Sequence, residues 1–190
     1  VSGYPLLDAA RLRAAFGLLD RALARRRVKA DVLLYGGAAM LLAYDADRST
    51  RDADSVFRPD GPVLEAAAEV ADELGLGRGW LNQQASVYLP PAATTHERAV
   101  FDRPVHDGPN LRVTAMNPRY LLAMKVHASR GDQDVTDIGV LADALGLADA
   151  TEVLAVAQDV YGDEPLPARS RPAVETALER RGGERGRNGS

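Results

Sequence analysis

"LLYGGAAMLLAYDADRSTRDADSVF", Leu33 to Phe57, joins an apolar strand, a Gly-Gly step, a short apolar helix and two aspartates one residue apart. Aspartate is a poor strand former, and like charges on one strand face repel. Asp52 and Asp54 therefore lie in an exposed, solvated turn or hold a cation. If the strand runs through them, residues i and i+2 share a face, with Ala53 opposite. Two carboxylates on one side suit Mg²⁺, which usually takes one or two of them plus substrate phosphates. Gly36-Gly37 leaves two readings as well. A strand that stops at glycine and restarts as a helix is either a tight turn or an anion cradle, where free N–H groups meet the positive helix end.

Working outward, Leu7 to Val28 reads as an amphipathic helix with Leu12, Phe16, Leu19 and Leu23 on one stripe and Asp8 as N-cap. "PVLEAAAEVADELGL" is a second helix, begun near a proline and stopped by Gly75 or Gly77. "ASVYL" and "LRVTAM" read as short strands, with an irregular stretch from Pro90 to Pro109 between them. From Asn117-Pro118 onward the pattern is helical: "NPRYLLAMKVHASR", "DVTDIGVLADALG", "DATEVLAVAQDVYG" and "SRPAVETALERR". The expected architecture is α+β, a small mixed sheet lobe with an N-terminal helix over 1–117 and an all-α lobe over 118–181. Residues 182–190, "GGERGRNGS", read as a disordered tail.

Three further residues interrupt apolar stripes. Lys125 follows Leu121 and Leu122 by four and three, so it either snorkels at a rim or points into a cleft. Asp134 and Asp137 are three apart and in line with Ile138, Leu141 and Leu145. Acids in a first helical turn also favour the macrodipole, and Asp134 is equally a candidate cap. Other signals carry less. His96, His106 and His127 lack metal-ligand spacing. "GLGRG" follows a helix rather than a strand, and Trp80 reads as core.

Bulk composition bounds the function. The chain has 190 residues, 46% hydrophobic content, net charge −4 and no cysteine. One domain, or one plus a helical extension, is expected, with no disulfide or thiolate metal site. The mild acidity offers no global attraction for nucleic acid, although "RALARRRVK" supplies a local basic edge. No apolar run of about 18 residues exists to span a membrane, and the first residues lack signal-peptide features, so a cytoplasmic location is expected. The wealth of Ala and Arg suggests a bacterial source.

Gly36-Gly37, then a helix, then "RSTRDADSVF" resembles the GG…RxTxDxD signature of DNA polymerase β-superfamily nucleotidyltransferases, carried here by Arg48, Thr50, Asp52 and Asp54. "LLAMKVHASRGDQDVTDI" resembles a later block of the bacterial branch that includes AbiEii-like and MenT-like toxins of type IV toxin–antitoxin systems. The likeness spans roughly Ala30 to Leu178, with "GWLNQQASVYLP" and "YGDEPLPARSRPAVETAL" also similar. The resemblance implies an Mg²⁺-dependent transfer of a nucleoside monophosphate from an NTP to an acceptor hydroxyl. In MenT-like members that acceptor is the tRNA 3′ end. A cognate antitoxin would be the protein partner. Gly36, Gly37, Arg48 and Lys125 would bind the nucleotide, Asp52 and Asp54 the metal, and Asp134 and Asp137 would complete the catalytic cleft, orienting Lys125 or the acceptor. Two departures stand out: Gly37 occupies a place where many members carry serine, and no third strand carboxylate appears, Asp102 and Asp107 lying off any clear strand. The alternatives are a small-molecule or protein acceptor, or a nucleotide- or partner-binding module that has lost catalysis.

Overall fold

The computed structural model describes residues 4–44, 46, 48–94 and 98–188. The chain divides into two compact units, one built from Val1–Val87 and Phe101–Met116, the other from Tyr88–Val100 and Asn117–Ser190. Tyr88–Val100 thus groups with the helices, although it precedes the expected seam at 117.

The first unit holds a five-stranded mixed sheet in the order β3-β2-β1-β5-β4. The strands are β1 (Ala30–Leu34), β2 (Ala53–Arg58), β3 (Leu81–Asn82), β4 (Arg103–Asp107) and β5 (Leu111–Ala115). β1 runs antiparallel to β2 and parallel to β5. β3 is parallel to β2, and β4 antiparallel to β5. Alternation along the strands separates the faces. Val32, Leu34, Phe57 and Val113 are wholly buried on one side. Asp31, Leu33, Asp54, Val56 and Thr114 are half-buried or exposed on the other.

Helix α1 (Ala9–Arg26) buries the expected stripe of Leu12, Phe16, Leu19 and Leu23. Its first turn is closed by Asp8, which accepts from Arg11 N at 2.7 Å. Helix α2 (Gly36–Ala43) follows β1, and α3 (Asp60–Leu74) follows β2. α3 stops at Gly75, whose φ of +64° suits glycine. α1 packs on α3, on β4 and on β5. Trp80 sits between the two helices. Its indole Nε1 donates to Ala67 O of α3 at 2.9 Å, and its ring centroid lies 5.7 Å from that of Phe16 on α1.

The second unit contains α4 (Pro91–Thr94), α5 (Pro118–Ala128), α6 (Asp132–Ala144), α7 (Ala150–Tyr161) and α8 (Ser170–Asn188). α5 packs against α6, α7 and α8, with Leu121, Leu122 and Val126 wholly buried. Asn117 caps it by accepting from Tyr120 N at 3.2 Å, and Asp149 caps α7.

Several sequence expectations change. Ala85–Leu89, read as a strand, instead overlaps a 3₁₀ turn at Gln84–Tyr88, because the Asn82 side chain accepts from Gln84 N at 2.8 Å and starts a turn. The stretch Pro90–Pro109, read as irregular, contains β4. Its low apolar content hid it, since it is an edge strand with mostly exposed or half-buried side chains. α8 continues through the Gly-rich stretch to Asn188 where a disordered tail was expected, while Gly189 and Ser190 lie outside the described residues. A helix already nucleated gains a backbone bond with each added residue, and each glycine costs only about 1 kcal/mol against alanine.

Trp80→Ala would leave a cavity between α1 and α3 and remove the indole's bond to Ala67 O. The expected loss is about 3–5 kcal/mol of stability, read by urea unfolding followed by circular dichroism.

Candidate functional site

Tyr35 leaves β1 in an extended conformation and its N–H donates to Asp54 O at 3.1 Å, carrying the β1–β2 pairing one residue past Leu34↔Ser55. The next residue, Gly36, turns at φ +64°. A Cβ there would stand 3.0 Å from Asp54 Oδ2, so glycine is required by backbone angle and by space. At Gly37 a Cβ would meet Thr50 Oγ1 at 2.7 Å and an Arg48 guanidinium nitrogen at 3.1 Å. The glycine pair is therefore pressed against the Arg48–Asp54 segment. The serine that many resembling proteins carry at position 37 has no room here, because Thr50 fills it.

Asp52 immediately precedes β2 and Asp54 is its second residue. Both are half-buried, while Ala53 between them is wholly buried. Thr50 braces the entry to the strand: its hydroxyl donates to Asp52 O at 3.0 Å, and its backbone pairs both ways with Leu7. Asn82 on β3 was not singled out from sequence, because no spacing links it to the aspartates. Its amide donates to Asp52 Oδ2 at 3.1 Å and to Gly79 O at 3.1 Å, while its carbonyl accepts from Gln84 N. Asn82 thus fixes the orientation of one carboxylate.

This donor set fits a hard divalent cation of the Mg²⁺ type, which prefers carboxylate oxygen and binds with one or two carboxylates plus phosphates. Among the described residues the set stops at two. β5 presents Arg112 and Thr114 on the Asp54 face, whereas Asp102 is exposed beside Arg103 and Asp107 ends β4 exposed. Among the described residues no group of three or more His, Cys, Asp or Glu is placed to hold a metal. Tyr35 is the other residue that sequence reasoning passed over. It is wholly buried, and burial followed by the nearby Asp54 charge pushes its hydroxyl well above the usual phenol range.

Lys125, Asp134 and Asp137 form a separate cluster inside the helical unit. The Lys125 ammonium lies 2.8 Å from Asp134 Oδ1 and 2.7 Å from Asp137 Oδ2, and all three side chains are buried. Of the two sequence readings for Lys125, snorkelling at a rim is removed. Asp134 is not the cap of α6 either: Gly131 holds that position, and Asp134 reaches back to accept from Arg130 N at 2.9 Å. Burial by itself would raise the Asp134 pKa. Lys125's charge and hydrogen bond, then the Arg130 backbone bond and charge, outweigh it and hold the carboxyl below its ordinary range.

Residues 10–159 match the family described as nucleotidyltransferase of unknown function (DUF6036). The chain belongs to this nucleotidyltransferase family. The match takes in both the Gly36–Asp54 block and the Lys125–Asp137 block and ends before α8. Comparison with curated proteins and with solved structures gives no match.

Within this nucleotidyltransferase the basic "RALARRRVK" edge is partly closed. Arg25 and Arg26 both pair with Glu69 of α3, and Arg26 also approaches Glu65. Those hydrogen bonds, Arg26's first, pull the Glu69 carboxyl down to about 2. His106 lies near Asp20 and His127 stacks on Tyr161, while His96 lies outside the described residues. No helix among the described residues is long and apolar enough to cross a membrane.

Two outcomes follow from this geometry. Gly37→Ala should destabilise the first unit by about 1–3 kcal/mol, and Thr50→Ala should recover part of the loss by vacating the space, measurable as a coupling in a double-mutant cycle of thermal melts. Asp134 contributes stability that is complete above 3.8, the ordinary aspartate value, and is lost as pH falls through its depressed folded pKa. Asp134→Asn should therefore flatten the acid limb of the stability–pH curve, read by denaturant melts from pH 5 downward.

Proposed function

We propose that the chain transfers a nucleoside monophosphate from an NTP to an acceptor hydroxyl, most specifically at the tRNA 3′ end, as the toxin of a toxin–antitoxin pair. Membership of the nucleotidyltransferase family supports the reaction class. The single observation that carries the site is the close approach of the Gly36-Gly37 turn to Asp54 and Thr50, where no Cβ fits. The tRNA acceptor, the antitoxin partner and the bacterial cytoplasm rest on the resemblance to the AbiEii/MenT-like branch.

In this reading the backbone N–H groups at the start of α2 bind the triphosphate, with glycine allowing close approach. Arg48, held beside Gly37, adds positive charge to the same turn. Asp52 and Asp54 would hold Mg²⁺, which supplies neutralisation of the phosphate charge when bound. Asn82 and Thr50 keep Asp52 in place by its side chain and its carbonyl. Lys125 is held by Asp134 and Asp137 within the helical unit, and a role for it toward the nucleotide rests on the resemblance alone. The acceptor oxygen attacks the α-phosphorus, the bond to the bridging oxygen breaks, and pyrophosphate leaves.

A second reading has its own support. Among the described residues no third carboxylate joins Asp52 and Asp54, which motivates a nucleotide- or partner-binding module without turnover. One assay separates the two: labelled NTPs, Mg²⁺ and total RNA, with small-molecule hydroxyls and protein acceptors run in parallel. The proposal expects label in tRNA, lost by at least about 100-fold in Asp52→Asn and Asp54→Asn, the scale of removing one electrostatic group from a transition state. Label in another acceptor corrects the substrate only. NTP binding by calorimetry with no label in any acceptor overturns the enzyme reading and favours the binding module.

A further inference from the structure

We propose that the Tyr35 hydroxyl is a positioning donor for Asp54, taking up its hydrogen bond when the aspartate holds a divalent cation. The inference rests on the nucleotidyltransferase reading above and deepens it by one residue. Tyr35 is wholly buried, and among the described residues its hydroxyl has no hydrogen-bond partner. An unpaired buried hydroxyl carries a desolvation cost that phenylalanine would avoid at nearly the same volume. Such a group calls for a partner that arrives or turns with the ligand.

The strand register identifies the partner. Residues directly opposite in an antiparallel pair project to the same face. Leu33 faces Val56 and Leu34 faces Ser55, so Tyr35 faces Asp54, and their backbone bond of 3.1 Å confirms the pairing. The neighbouring Gly36 backbone is already against Asp54 Oδ2, which holds the Tyr35–Asp54 juxtaposition fixed. An ionised carboxylate has about four acceptor sites, so it can give one oxygen to a cation and accept a hydrogen bond on the other.

The other aspartate of the pair already shows this arrangement. Asn82 donates to Asp52 Oδ2 from β3, on one flank of β2. Tyr35 stands on the opposite flank, beside Asp54, at the end of β1. Outer partners that orient a metal-binding carboxylate typically contribute 10–100-fold in metal affinity. The two donors would hold the two carboxylates from either side of the strand.

The test compares full-length wild type, Tyr35→Phe and Asp54→Asn. Mn²⁺ binding is measured by calorimetry, and thermal melts are run without metal. The expected result is Mn²⁺ affinity about 10-fold or more weaker in Tyr35→Phe, with a metal-free melting temperature equal to or above wild type. The Mg²⁺ concentration for half-maximal nucleotidyl transfer should rise by a similar factor. Equal Mn²⁺ affinity in Tyr35→Phe and wild type overturns the proposal while leaving the metal site standing. A lower metal-free melting temperature overturns it too, since the hydroxyl would then have a structural role. Failure of wild type to bind Mn²⁺, with Asp54→Asn indistinguishable from it, overturns the underlying reading and this proposal together.

Discussion

The contact of a Cβ-free turn with the strand beside it organises the candidate site. Gly36 lies against the Asp54 carboxylate and Gly37 against Thr50 and Arg48, at separations that leave no space for a side chain. The rest of the site follows from that approach. Thr50 is held over Gly37 by its bond to the Asp52 carbonyl and by its pairing with Leu7. β1 must pair with β2 in the register that sets Tyr35 opposite Asp54. A Cβ at Gly37 would force Thr50 or Arg48 to give way, and one at Gly36 would press on the Asp54 carboxylate at a φ that L side chains rarely adopt.

The two charged clusters differ in kind. Asp52 and Asp54 are half-buried, with one Asp52 oxygen steered by Asn82. Lys125, Asp134 and Asp137 are buried together, and their charges answer one another at hydrogen-bond distance. Buried ions need that mutual pairing, because desolvating any of them alone costs several kcal/mol. The lysine continues an apolar helix face for that reason: two acids on α6 wait for it there.

Much of this was legible in the chain. The stripes of α1, α3 and α5 are set by apolar spacing, and Asp8, Asn117 and Asp149 cap helices through local bonds that span two or three residues. The Gly-Gly step and the Asp pair, with Ala53 buried between the carboxylates, are equally local features of period two. Asn82 escaped notice because its bond to Asp52 crosses 30 residues with no repeat or motif to mark it. β4 escaped because an edge strand needs little apolar character, and Arg25 and Arg26 looked free because their partner, Glu69, lies on another helix.

The sequence by itself determined which groups are at hand: a Gly-Gly step, two aspartates one residue apart, a lysine in line with an apolar stripe, and an order of motifs that the family shares. Periodicity and short-range capping set the helices, since they involve neighbours along the chain, whereas the reaction class rests on the family match. Only the tertiary structure decided why position 37 is glycine rather than serine, which donor holds Asp52, that Lys125 is neutralised by both α6 acids, and that the Tyr35 hydroxyl is buried without a partner among the described residues. Each of these depends on atoms distant in sequence brought within a few ångströms, and steric exclusion and desolvation act only at that range.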